Sequence, residues 1–80
     1  MNTIRTIIID DERLARQELR ESLSKYSEFD IIEECSDPED AIDKIETLKP
    51  DLIFLDIQMP GKNGFQLLEE LTYVPDVIFV

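Results

Sequence analysis

Leu52-Ile53-Phe54-Leu55 is an unbroken apolar run that ends on one carboxylate, Asp56, and leads into the turn residues Met59-Pro60-Gly61. A run without polar alternation has no face to turn toward water, so it fits a strand covered on both sides, as in the middle of a parallel sheet. Thr6-Ile7-Ile8-Ile9 is β-branched throughout, reads as a second fully buried strand, and ends on the acidic cluster Asp10-Asp11-Glu12. Open α/β sheets place their chemistry at the carboxyl ends of such strands. Asp56 is the first candidate for that chemistry.

The segments between these strands change period. From Glu12 to Tyr26, Ala15, Leu19, Leu23 and Tyr26 recur at helical spacing beside Leu14, with Asp11 placed to cap the helix and acids in its first turn. Phe29 to Cys35 reads as a strand with interleaved acids, which suits a sheet edge. Ser36-Asp37-Pro38-Glu39-Asp40 is a strong helix start, Ala41, Ile42, Ile45 and Leu48 supply a buried stripe, and Pro50 stops the helix after Lys49. The loop from Ile57 to Gly64 precedes a third helix over roughly Phe65 to Leu71, with Phe65 in the core like Phe54. Asp76 to Val80 is a fourth strand. Alternating strands and helices with short connections imply right-handed βαβ units, hence a doubly wound parallel α/β sheet. In the flavodoxin-like order 2-1-3-4 the first and third strands are neighbours, and Asp10, Asp11 and Asp56 share one rim.

With 80 residues the chain forms one small domain. Its 8 basic and 19 acidic residues leave a net charge of -11, which disfavours nucleic acid and anionic membranes and favours cations. Cys35 is the sole cysteine, which excludes a disulfide framework, and the expected setting is reduced and cytoplasmic. No apolar run approaches the roughly 20 residues of a membrane span. Three carboxylates on one rim repel one another unless a cation sits among them, and oxygen donors beside water suit Mg2+. A carboxylate beside such an ion can act as a nucleophile and form an acyl phosphate.

The acidic pair Asp10-Asp11 after Ile7-Ile8-Ile9, Asp56 after Leu52-Ile53-Phe54-Leu55, and Met59-Pro60 with Gly64 beyond them together resemble the receiver domain of two-component response regulators. The likeness covers the whole chain, so residues 1–80 would be the N-terminal portion of a receiver. Asp10-Asp11-Glu12-Arg13-Leu14-Ala15-Arg16 further resembles regulators of the LytR/AlgR kind, whose separate output domain binds DNA. The resemblance implies a cytoplasmic phosphorelay protein that is not an enzyme beyond self-phosphorylation and self-dephosphorylation. Asp56 would be phosphorylated by a histidine kinase. Asp11 would be the main Mg2+ carboxylate, with Asp10, Asp56 and the backbone carbonyl of Gln58 beside it. Pro60, Gly61 and Gly64 would shape the loop over the site.

The same pattern continues past the fourth strand with a Ser or Thr, a fifth strand ending in Lys, and two further helices. Lys25, Lys44, Lys49 and Lys62 match no such position, so the expectation is a truncated receiver without its switch residues. Its fourth strand would then be an apolar edge inviting self-association. Simpler readings stand beside these. Asp11 is also a plausible helix cap, Asp10 a solvated acid and Lys62 a solvated loop lysine. A receiver-like module that is never phosphorylated suits the missing residues. A Mg2+-dependent phosphatase would use Asp10 with an acid two residues on, here Glu12, but lacks that family's further residues.

Overall fold

The structure is a computed structural model and describes residues 2–80. Strands β1 (Ile4–Ile9), β2 (Phe29–Cys35), β3 (Leu52–Leu55) and β4 (Asp76–Phe79) alternate with helices α1 (Arg13–Leu23), α2 (Pro38–Leu48) and α3 (Gly64–Glu69). The strands form one sheet in the order β2-β1-β3-β4, every pair parallel. This is the doubly wound architecture expected from the two apolar runs, with β1 and β3 as the inner strands.

Period-2 geometry sends successive side chains of those strands to opposite faces, which is why neither run alternates with polar residues. Ile7, Ile9, Ile53 and Leu55 point to one face, where they pack with Ala41 and Ile45 of α2, Leu67 of α3, Cys35 and Met59. Ile8, Leu52 and Phe54 point to the other and pack with Leu23, Leu19 and Phe29. Phe29 stands edge-on to Phe54 with ring centroids 6.2 Å apart. The buried Thr6 satisfies its hydroxyl by donating to the Ile4 carbonyl at 2.9 Å. On β2, two of the interleaved acids, Glu33 and Glu34, are paired from the neighbouring helices. Glu34 faces Arg16 and Arg20 of α1, and Glu33 faces Lys44 of α2.

Helix α2 begins as its sequence specifies. Asp37 accepts the Asp40 amide at 2.9 Å, Pro38 occupies the first turn, and Lys49 closes the helix in the left-handed conformation at φ 48°. The first and third helices depart from expectation. Glu12, not Asp11, is the N-cap of α1, with no capping side chain and no acid in the first turn. The cause is Asp10, whose Oδ1 accepts the Glu12 amide at 2.9 Å and folds residues 10–12 into a turn before the helix starts. Helix α1 ends at Leu23, so Tyr26 lies beyond it and is exposed, as is Leu14. Helix α3 stops at Glu69, short of Leu71.

Phe65 is 54% exposed rather than in the core, and Leu67 is buried in its place. A reciprocal capping box between Asn63 and Gln66 starts α3 at Gly64 and sets its rotation. At roughly 100° per residue, a helix that turns Leu67 inward sends Phe65 to the far side. No helix among the described residues is long and apolar enough to cross a membrane.

Cys35 is buried at the end of β2. Burial, reinforced by the Asp40 carboxylate, pushes its thiol up to about 12, so little of it is thiolate near neutral pH. Intact-mass analysis after treatment with a thiol reagent is expected to find Cys35 unmodified in native buffer and modified in urea.

Candidate functional site

The carboxylates meet because of strand register. Ile9 lies opposite Leu55 in the parallel ladder, so the next residues, Asp10 and Asp56, leave the sheet side by side. Asp56 donates its amide to the Ile9 carbonyl at 2.9 Å, and Asp10 donates its amide to the Cys35 carbonyl at 3.1 Å. Backbone bonds to neighbouring strands thus hold both residues at the rim.

One carboxylate oxygen from each of Asp10, Asp11 and Asp56 lies within 4.8 Å of the others, with Asp10 and Asp56 half-buried and Asp11 exposed. Two of the three side chains also brace their own turns. Asp10 accepts the Glu12 amide, and Asp56 Oδ1 accepts the Gln58 amide at 3.0 Å. Each of these bonds engages a single carboxylate oxygen. Burial, followed by the nearby Asp10 and Asp11 carboxylates, raises the Asp56 pKa above its ordinary value, with the Gln58 amide pulling the other way. The site therefore concentrates negative charge that a cation would relieve. Three hard oxygen donors open to solvent match Mg2+, which takes a few carboxylates and keeps several waters.

The loop after β3 is shaped by its glycines at two different points. Gly61 has φ 90°, a left-handed conformation that a side chain would strain. Gly64 presses against the backbone beneath Asp56. A Cβ there would stand 3.0 Å from the Asp56 carbonyl oxygen and 3.3 Å from Ile57 Cα, and the Gly64 amide donates to the Ile57 carbonyl at 2.8 Å. Pro60 and the Gln58 side chain are exposed, whereas Met59 is buried below them.

Lys62 differs from the solvated loop lysine expected. It is half-buried and bridges Glu39 in the first turn of α2 to Glu70 at the end of α3, the latter at 3.0 Å. Arg16 is a contact the sequence reading did not single out. Its Nη1 donates to the Asp10 carbonyl at 2.7 Å. No periodicity marks that contact, because the acceptor is a backbone atom outside the helix.

The Response regulator receiver domain family matches residues 6–80, and the chain belongs to that family. Among its relatives, the transcriptional regulatory protein BtsR of Escherichia coli K12 is 39% identical over 79 residues, covering 96% of this chain and 33% of that protein. The sensory transduction protein LytT of Bacillus anthracis is 38% identical over 79 residues, covering 95% of this chain and 32% of that protein. These two names agree with the resemblance to the LytR/AlgR kind. The response regulator domain of Thermotoga maritima CheB superposes with a TM-score of 0.87 at 30% identity, over 98% of this chain and 60% of that one. The chain spans about a third of the length of these curated relatives.

Gly64→Ala is expected to destabilise the protein by about 1–3 kcal/mol, because its methyl group would meet backbone atoms with little room to yield. A lower urea midpoint than wild type checks this.

Proposed function

We propose that Asp56 is the phosphoacceptor of a two-component receiver, phosphorylated by a histidine kinase in the presence of Mg2+. One observation carries the reading: the carboxylates of Asp10, Asp11 and Asp56 converge at the carboxyl ends of adjacent parallel strands. Asp11, Asp10, Asp56 and the backbone carbonyl of Gln58 would hold the ion. Bound there, Mg2+ would offset the charge of the carboxylates and of the incoming phosphoryl group.

In the transfer, a carboxylate oxygen of Asp56 forms a bond to phosphorus while the phosphorus–nitrogen bond to the kinase histidine breaks, leaving an acyl phosphate and a free imidazole. The Gln58 amide holds Asp56 Oδ1, which would leave the other oxygen to attack the donor. Pro60, Gly61 and Gly64 would shape the loop that follows Asp56. Residues 1–80 then serve as the N-terminal portion of a receiver that regulates a separate DNA-binding output domain. A phosphatase pairing of Asp10 with Glu12 has no support in the geometry, since Glu12 is not among the three converging carboxylates.

Incubation with a small-molecule phosphodonor and Mg2+ is expected to add one phosphoryl group by intact mass, and Asp56→Asn or chelation of Mg2+ is expected to abolish it. Both this chain and a longer protein containing it should be tested. No adduct in either would favour the unphosphorylated interaction module.

The exposed edge supports a second proposal, that copies of this chain associate through β4. Ile78, Phe79 and Val80 are 45%, 39% and 53% exposed, and Phe65 extends the patch by packing on Phe79 with ring centroids 5.0 Å apart. Sedimentation is expected to show a larger species as concentration rises, and a monomer at every concentration would overturn the proposal.

A further inference from the structure

Arg16 touches the acidic turn from outside the carboxylate cluster. Its side chain is 16% exposed, Nη1 donates to the Asp10 carbonyl at 2.7 Å, and Nε lies 3.6 Å from Glu34 Oε1 on β2. Arg20 holds the other oxygen of Glu34, with its Nε 3.2 Å from Oε2. The guanidinium is therefore anchored on one side by a carboxylate that is itself held, and its planar fork presents a second donor to the backbone.

The atom it grips matters. The Asp10 carbonyl and the Asp11 amide belong to one planar peptide unit, so fixing the oxygen restricts ψ of Asp10 and φ of Asp11 together. Those two angles set the directions in which the Asp10 and Asp11 side chains leave the chain. The Asp10 amide is already bonded to Cys35 and its Oδ1 to the Glu12 amide, which leaves this carbonyl as the point still to be held.

We propose that Arg16 is a positioning residue for the Asp10–Asp11 pair, orienting both carboxylates for a divalent cation through the peptide that joins them. The inference rests on the reading of this rim as a Mg2+ site.

The sign of the effect separates positioning from charge. A guanidinium this near the cluster repels a cation, so on Coulomb grounds alone its removal would tighten Mg2+ binding. Positioning demands the opposite.

The test is calorimetric titration of the metal-free protein with Mg2+, with urea midpoints measured on the same variants. Arg16→Met keeps the stem but loses the fork, and is expected to weaken Mg2+ binding roughly 10-fold or more, the scale of outer-shell ligand supports. Arg16→Lys keeps the charge and a donor and should recover part of the affinity. Arg13→Met removes a positive charge from the same end of α1 and should leave affinity unchanged or raised. Glu34→Gln loosens the anchor and should weaken binding by less than Arg16→Met. If Arg16→Met does not fold, Arg16→Lys and Glu34→Gln carry the comparison, and wild-type affinity in both overturns the proposal. Affinity in folded Arg16→Met equal to or tighter than wild type overturns it as well, whatever the change in urea midpoint. No saturable Mg2+ binding by wild type overturns the metal reading and, with it, this proposal.

Discussion

The parallel pairing of β1 with β3 is the contact on which the molecule depends. Ile7 against Ile53 and Ile9 against Leu55 place four fully buried side chains on one face of the sheet, and α2 and α3 close over them. The same ladder delivers Asp10 and Asp56 to one rim, one residue past its last apolar pair. A slip of one residue would turn the side chains of β3 to the opposite face and carry Asp56 out of line with Asp10. Core and site are thus specified by a single register.

The rim is held in a state unfavourable for the bare protein. Burial and neighbouring carboxylates raise the Asp56 pKa, so its charge opposes folding once it ionises, and a small domain has little stability in reserve. The surroundings offset that charge with backbone donors more than with cations. Glu12 and Gln58 donate their amides to the carboxylates, while the nearby arginine grips a carbonyl. Lys62, the cation of the loop, is occupied by Glu39 and Glu70. That arrangement leaves the carboxylate charge available to an external ion.

Much of this was legible in the chain itself. Asp10 and Asp56 could be placed at strand ends because Ile7-Ile8-Ile9 and Leu52-Ile53-Phe54-Leu55 lead directly into them, and the start of α2 could be placed because Asp37 and Pro38 satisfy local rules of capping. Reading failed where a local signal competed with a tertiary one. Asp11 has the chemistry of a cap, but the Asp10 side chain takes the Glu12 amide and moves the helix start to Arg13. Phe65 has the chemistry of a core residue, but the capping box at Asn63 and the tight seat of Gly64 on the Asp56 backbone fix the rotation of α3 and put Leu67 inside.

The sequence by itself determined the element order, the buried character of the inner strands and the acid at the end of each, since these follow from hydrophobic period and turn chemistry within short windows. Tertiary structure alone decided which oxygens face one another, which cations are already paired, and which helix face is buried. Those depend on contacts between residues far apart in the chain, such as Arg16 with Glu34 and Lys62 with Glu39. A local window holds only one partner of each, and the geometry of the other is set by the folded sheet.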